Sequence, residues 1–258
     1  MIPKIIHYCW FGGNSKPKLA RKCLKSWKRH CRGYKIIEWN EQNYDLSKAP
    51  LYVRQAYAAK KWAFVTDYIR LQVIYEQGGI YLDTDVELRK KPDSLLNHQA
   101  FFGFESPIYV NTGVGFGAVP GCPILKEMME DYQDIPFCLE DGSFDQTPCP
   151  ARNTEVFLRH GLRQDGTMQT LDGDILILPQ EHLSPIGLCQ DHIELTKNNI
   201  AIHWFSASWC PGDYQKSQEA YYQWMKWKNV LEFLSRNGRR LLGENFYCKV
   251  RDTVKKNL

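Results

Sequence analysis

Apolar and polar positions along the chain fall into blocks of two periods. Residues 2–11 (IPKIIHYCWF) form a short apolar run rich in β-branched side chains, bounded by Pro3 and by Gly12-Gly13. This predicts a buried first strand, with Trp10 near its carboxyl end. In residues 18–30, Leu19, Cys23, Leu24 and Trp27 recur at helical spacing among lysines and arginines, which predicts a surface helix. Residues 34–39 (YKIIEW) predict a second strand, and residues 40–49 a polar loop. Strand, helix and strand within the first forty residues indicate an α/β chain.

Residues 62–88 (WAFVTDYIRLQVIYEQGGIYLDTDVEL) carry the most information. The first part reads as a helix apolar nearly all round, which belongs in a core. Yet Asp67 and Arg70 stand inside it, three residues apart on one face, where charges are costly unless paired or bound. Gly78-Gly79 ends the helix. A strand, Ile80-Tyr81-Leu82, follows and is closed by Asp83-Thr84-Asp85. A period of two puts Asp83 and Asp85 on the same side.

Further along, residues 100–105 predict a strand and residues 111–119 (NTGVGFGAV) a strand or a tight turn, the latter with glycines that let backbone approach a ligand closely. Residues 123–132 and 152–160 predict helices, and residues 175–178 and 200–203 late strands. Residues 217–234 read as an aromatic amphipathic helix and residues 239–254 as a basic helical tail. The simplest division is one α/β domain over residues 1–215 and a basic helical extension over residues 216–258, packed on the same domain.

Composition changes this picture in three places. Aromatic content is high at 13%, with eight Trp and fourteen Tyr, and ring faces serve both cores and bound sugars or bases. Nine cysteines without CxxC spacing support neither zinc nor a disulfide framework. Together with the missing leader they lead us to expect reduced thiols and a cytoplasmic protein. Net charge is +4, but residues 14–35 hold nine Lys/Arg and no Asp or Glu, and residues 226–258 hold nine against three acids. Two basic surfaces imply an anionic partner or two solvated helix faces. No nucleic-acid motif accompanies them, so nucleic acid is not expected.

Two aspartates at i and i+2 offer oxygen ligands, which suit Mn2+ or Mg2+ rather than zinc. His203 ends another apolar strand and is the best third ligand. Such an ion could bridge a diphosphate and stabilise it as a leaving group.

The stretch DYIRLQVIYEQGGIYLDTDVEL, with IPKIIHYCWFGG before it and HWFSASW after it, resembles the DxD sugar transferases of glycosyltransferase family 32. That group includes yeast-type initiating mannosyltransferases, α1,4-galactosyltransferases and bacterial capsular transferases, with the clostridial glucosylating toxins as distant kin. The resemblance implies a GT-A nucleotide-binding fold, a mostly parallel twisted sheet flanked by helices. It implies a retaining transfer from a nucleotide-sugar, UDP-sugar favoured, to a saccharide or lipid-linked saccharide acceptor, in polysaccharide biosynthesis such as that of a capsule.

By the same resemblance Trp10 would stack on the base and Tyr81 lie beside the nucleotide. Asp67 and Arg70 would contact the donor sugar, and Asp83 the ribose and metal. Asp85 would be the principal metal ligand with His203, while Ser208 and Trp209 would hold the diphosphate. Asn111, Asp145 and Gln146 are acceptor-side candidates. Both double displacement and a front-face route remain open. The family's Thr-Gly-Pro run is here Thr147-Pro148-Cys149-Pro150. An acceptor on a lipid would place the protein peripherally at the inner face of an anionic membrane.

Two other readings stay in view. One is an aspartate-dependent phosphohydrolase, although Glu87 stands where that signature wants Thr or Val. The other is a non-catalytic protein that binds nucleotide-sugar or sugar.

Overall fold

Side chains alternate between the two faces of a strand, and the central strands here sort their residues into two separate cores. The computed structural model describes residues 1–186 and 195–206. Its strands are Ile5–Cys9 (β1), Lys35–Trp39 (β2), Gly79–Tyr81 (β3), Val86–Leu88 (β4), Ala100–Ser106 (β5), Tyr109–Val110 (β6), Phe116–Ala118 (β7), Gln169–Leu171 (β8), Ile175–Leu178 (β9) and Ala201–His203 (β10). Its helices are Lys18–His30 (α1), Leu51–Ala58 (α2), Trp62–Gln77 (α3), Pro123–Glu130 (α4), Cys149–Arg159 (α5) and Gln180–Leu183 (α6). Residues Met1–Phe205 form one compact unit. The predicted extension over residues 216–258 lies outside the described residues.

The main sheet runs β2-β1-β3-β7-β5-β9-β8, with β6 paired to β5. Strands β2, β1, β3, β5 and β9 point one way, and β7 and β8 run against them. The sheet is therefore mostly parallel in direction, as expected. On one face Tyr81, Phe102, Phe104 and Phe116 pack with Val65, Ile69 and Ile74 of α3 and with residues of α2, α4 and α5. On the other, Ile6, Ile80, Leu82 and Phe101 pack with Cys23 and Trp27 of α1 and with Val86 and Leu88 of β4. Among the described residues no helix is long and apolar enough to cross a membrane.

Helix α2 falls just after the predicted loop, where the sequence pattern predicts no element. Its buried face is only Tyr52, Val53 and Ala56, too short a stripe to read as periodic. The strand after Gly78-Gly79 also ends earlier than expected, at Tyr81. Asp83 and Asp85 lie in a turn, closed by the Val86 amide donating to the Asp83 carbonyl at 2.9 Å. The turn, not strand alternation, brings them together.

The Gly-Gly break is held by a buried histidine. The Trp39 indole N–H donates to His7 Nδ1 at 3.0 Å, so that nitrogen carries no proton. His7 Nε2 lies 3.0 Å from the Gly78 carbonyl and donates to it. At Gly79 (φ +112°) a Cβ would come within 2.7 Å of the Ile5 carbonyl, so only glycine fits.

A protonated His7 would oppose one N–H with another, and burial holds its pKa down to about 4 from 6.5. Below pH 6.5 the unfolded chain therefore takes up a proton that the folded chain refuses. Stability is lost as pH falls from 6.5 towards 4 and the loss then levels off, at roughly 3 kcal/mol in all. Urea denaturation across this range should show a steeper acid loss for the wild type than for His7→Gln. Equal slopes would take His7 out of the account.

Candidate functional site

Helix α3 runs into the sheet with its middle buried on nearly every side, so its two charges have only each other and the site to meet. Arg70 Nη2 lies 3.0 Å from Asp67 Oδ1 and 3.5 Å from Asp83 Oδ1. The Arg70 Nε–H donates to the Thr66 carbonyl at 3.1 Å, and Nη2 to the Thr66 hydroxyl at 3.2 Å. The guanidinium also stands 5.2 Å from the centre of the Tyr81 ring. The Tyr81 hydroxyl in turn donates to Asp83 Oδ1 at 2.9 Å.

This network shapes the charges. Burial pushes Asp67 up to about 6, against the pull of Arg70. Burial also raises Asp83, again with Arg70 opposing. For Arg70 burial works against the charge, but Asp83, Tyr81 and Asp67 together push it well above its ordinary value.

The second half of the site comes from the far end of the described chain. Strand β10 pairs antiparallel with β4, setting His203 opposite Val86, the residue after Asp85. His203 Nε2 lies 3.3 Å from Asp85 Oδ1. Burial alone would lower the His203 pKa, but Asp85, Asp83 and Glu105 together outweigh it and the value rises. Asp83, Asp85 and His203 each offer a ligand atom, all within 4.8 Å of one another. His203 Nδ1 is buried without a hydrogen-bond partner among the described residues. Nε2, not this nitrogen, faces Asp85, so Nε2 is the donor that an ion shared with the carboxylates would use. Two carboxylates and an imidazole fit Mn2+ or Mg2+, and the nitrogen ligand favours Mn2+. Three protein ligands leave coordination positions for phosphate oxygens.

The floor of the site is the loop before β7. A Cβ on Gly113 would lie 2.7 Å from Asp83 Oδ2 and 3.0 Å from Arg70 Nη1, so this backbone presses directly on both charges. Asn111 fixes the loop, accepting from the Gly113 amide at 2.5 Å and from the Cys149 thiol at 3.4 Å through Oδ1. Its amide donates to Glu105 at the end of β5. Burial raises the Glu105 carboxyl, while His203 pulls it down, which places both in one electrostatic field. Gly113, Glu105 and Cys149 were not singled out from sequence. The glycines of residues 111–119 predict approach to a ligand rather than to Asp83, Cys149 stands in the run that departs from the family's Thr-Gly-Pro, and nothing in the sequence marks Glu105.

The structure thus brings together Asp67, Arg70, Tyr81, Asp83, Asp85, His203 and Asn111. Trp10 stands at the end of β1, beside β3, its indole donating to the Asn14 carbonyl at 2.7 Å under the Lys16 ammonium. Asp145 is tied up elsewhere, in an ion pair with Arg152. Gln146 is exposed next to it. Ser208 and Trp209 lie outside the described residues.

Comparison with known proteins follows the same stretch. Residues 17–102 match the model for the glycosyltransferase sugar-binding region containing a DXD motif. Inositol phosphoceramide mannosyltransferase 3 of Schizosaccharomyces pombe (strain 972 / ATCC 24843) is 27% identical over 139 residues, 53% of this chain but only 38% of that protein. An uncharacterized glycosyltransferase of Acanthamoeba polyphaga mimivirus is 25% identical over 226 residues, 82% of this chain and 85% of its own. A solved glycosyltransferase involved in glycosylation of the major capsid of PBCV-1 aligns with a TM-score of 0.45 at 15% identity, over 87% of this chain and all of that one. The chain thus carries a DXD-type glycosyltransferase sugar-binding region and is related to glycosyltransferases.

Proposed function

We propose that this chain is a GT-A-type, metal-dependent retaining glycosyltransferase. It takes a sugar from a nucleotide-sugar, UDP-sugar favoured, and passes it to a saccharide or lipid-linked saccharide acceptor in polysaccharide biosynthesis. The observation that carries this reading is the meeting of Asp83, Asp85 and His203 within 4.8 Å, beside a buried Asp67–Arg70 pair.

Asp83, Asp85 and His203 would hold Mn2+ or Mg2+, which when bound supplies Lewis-acid stabilisation to a leaving diphosphate. Arg70 adds a fixed positive charge that needs no reorganisation, because Asp67, Asp83 and Thr66 already hold it in place. We assign Tyr81, which is 1% exposed, to orienting Asp83 rather than to touching the nucleotide. Because Arg152 holds the Asp145 carboxylate, we favour the front-face route, which needs no protein nucleophile.

The test is release of nucleoside diphosphate from a panel of nucleotide-sugars by the full chain, without acceptor. Slow hydrolysis of at least one UDP-sugar is expected with Mn2+, and its loss on adding EDTA. If no nucleotide-sugar is bound or turned over with metal present, the proposal fails. Hydrolysis of simple phosphate esters instead would favour the phosphohydrolase.

A further inference from the structure

Helix α1 carries its charges in a way that its own stability explains only at the carboxyl end, where Lys28, Arg29 and His30 meet the helix dipole favourably. Lys18, Arg21, Lys22, Lys25, Lys28 and Arg29 are linked by spacings of three and four residues (18–21–25–29 and 18–22–25–28), so they share one stripe, and all six are exposed. Lys25 has Arg21, Lys22, Lys28 and Arg29 as like-charged neighbours on that stripe, and each such pair weakens a helix. The first turn contains no acid, Lys18 and Arg21 oppose the helix dipole there, and no side chain caps the amino end. Nearby carboxylates do little to neutralise the stripe. Glu87 takes Lys22 at 2.6 Å, while Glu38 is bound to Lys16 and Asp93 to Lys4. Among the described residues Lys18, Lys25, Lys28 and Arg29 have no ion-pair partner, and Arg89 extends the field beside His30.

The opposite face of the same helix grips the strand after the DxD turn. The fully buried Trp27 donates its indole N–H to the Val86 carbonyl at 2.7 Å, and the Ser26 hydroxyl accepts from the Leu88 amide at 2.9 Å. Whatever the cations touch is therefore one helix diameter from the candidate site.

We infer that the outer stripe of α1 is a docking surface for an anionic lipid bilayer. The stripe spans a helix of 13 residues, ~20 Å, and offers only Lys and Arg. A diffuse layer of negative charge matches such an array, since it asks for no defined partner geometry. Single-stranded nucleic acid is the poorer fit, because its platforms interleave rings with cations and the helix's one Trp faces inward.

The inference does not depend on the proposed reaction, and its test is separate. The full chain is sedimented with phosphatidylcholine vesicles, with and without about one-third phosphatidylglycerol. Binding is expected only with the anionic lipid, and its loss near 1 M salt, where the screening length is ~3 Å. The double variant Lys25→Gln, Arg29→Gln should bind at least tenfold more weakly, on the order of fivefold per cation removed. It should melt close to the wild type, since the like-charge repulsion it loses is offset by the dipole attraction that Arg29 gives up in the last turn, and hydrolyse donor equally well without vesicles. Equal binding to neutral vesicles, wild-type binding by the double variant, or displacement from vesicles by a short oligonucleotide would each overturn the inference.

Discussion

Replacing Arg70 with methionine is expected to lower stability by about 3–5 kcal/mol. Arg70 is 3% exposed and is the charge nearest to the buried Asp67 and the half-buried Asp83. Methionine keeps most of the volume, so the loss comes chiefly from leaving Asp67 and Asp83 uncompensated rather than from a cavity. In a chain of this size it should appear as a fall in melting temperature of roughly 10 °C. Adding Asp67→Asn should recover part of it, because the orphaned charge then disappears. The sign of the pH dependence follows from Asp67, already raised to about 6 by burial. A carboxyl whose folded pKa lies above its unfolded value binds protons more tightly when folded. The deficit of the single variant should therefore shrink as pH is lowered towards 4 and be largest at neutral pH. A deficit below about 1 kcal/mol, or one that does not change with pH, would mean that water reaches these groups.

Replacing Asp85 with asparagine should reduce donor turnover on the order of a thousandfold and largely abolish Mn2+ binding. The substitution preserves shape and the turn, whose backbone bond runs from the Val86 amide to the Asp83 carbonyl. It removes one of the two charges that favour a divalent cation, and the partner that raises His203. Two readouts separate these effects. Mn2+ at about one hundred times its dissociation constant should stabilise the wild type by ~2.7 kcal/mol and the variant hardly at all. Without metal, the two proteins should melt close together. Wild-type affinity for Mn2+ in the variant would remove Asp85 from the ligand set.

Much of the site could be read along the chain because it lies in one continuous segment. Asp67 and Arg70 stood out as charges in an apolar helix, and Asp83 and Asp85 followed the glycine break. His203 could be named because it ended a second apolar strand. What could not be read depends on contacts between distant segments. Glu105 looks like any strand-end acid until Asn111 and His203 are seen beside it. Cys149 becomes part of the site only because α5 delivers its first residue to Asn111 and Arg70. Asp145 looked available until Arg152, one turn into the next helix, claimed it. Strands such as β4 and β7, each three residues long, are too short for a period to show. The alternation of Gly with apolar residues over 111–119 predicts close approach to a ligand, whereas at Gly113 the backbone closes on Asp83 and Arg70.

The pairing of β10 with β4 has one more consequence. Asp85 and His203 are separated by roughly a hundred residues of chain, a loop whose closure carries a real entropic cost. An ion held by both would act as a reversible cross-link between the ends of that loop. Amide exchange should then report metal far from the ligands themselves: Ala201 and Ile202 would exchange more slowly with Mn2+ present, while the amides of β2, at the distant edge of the sheet, would not change.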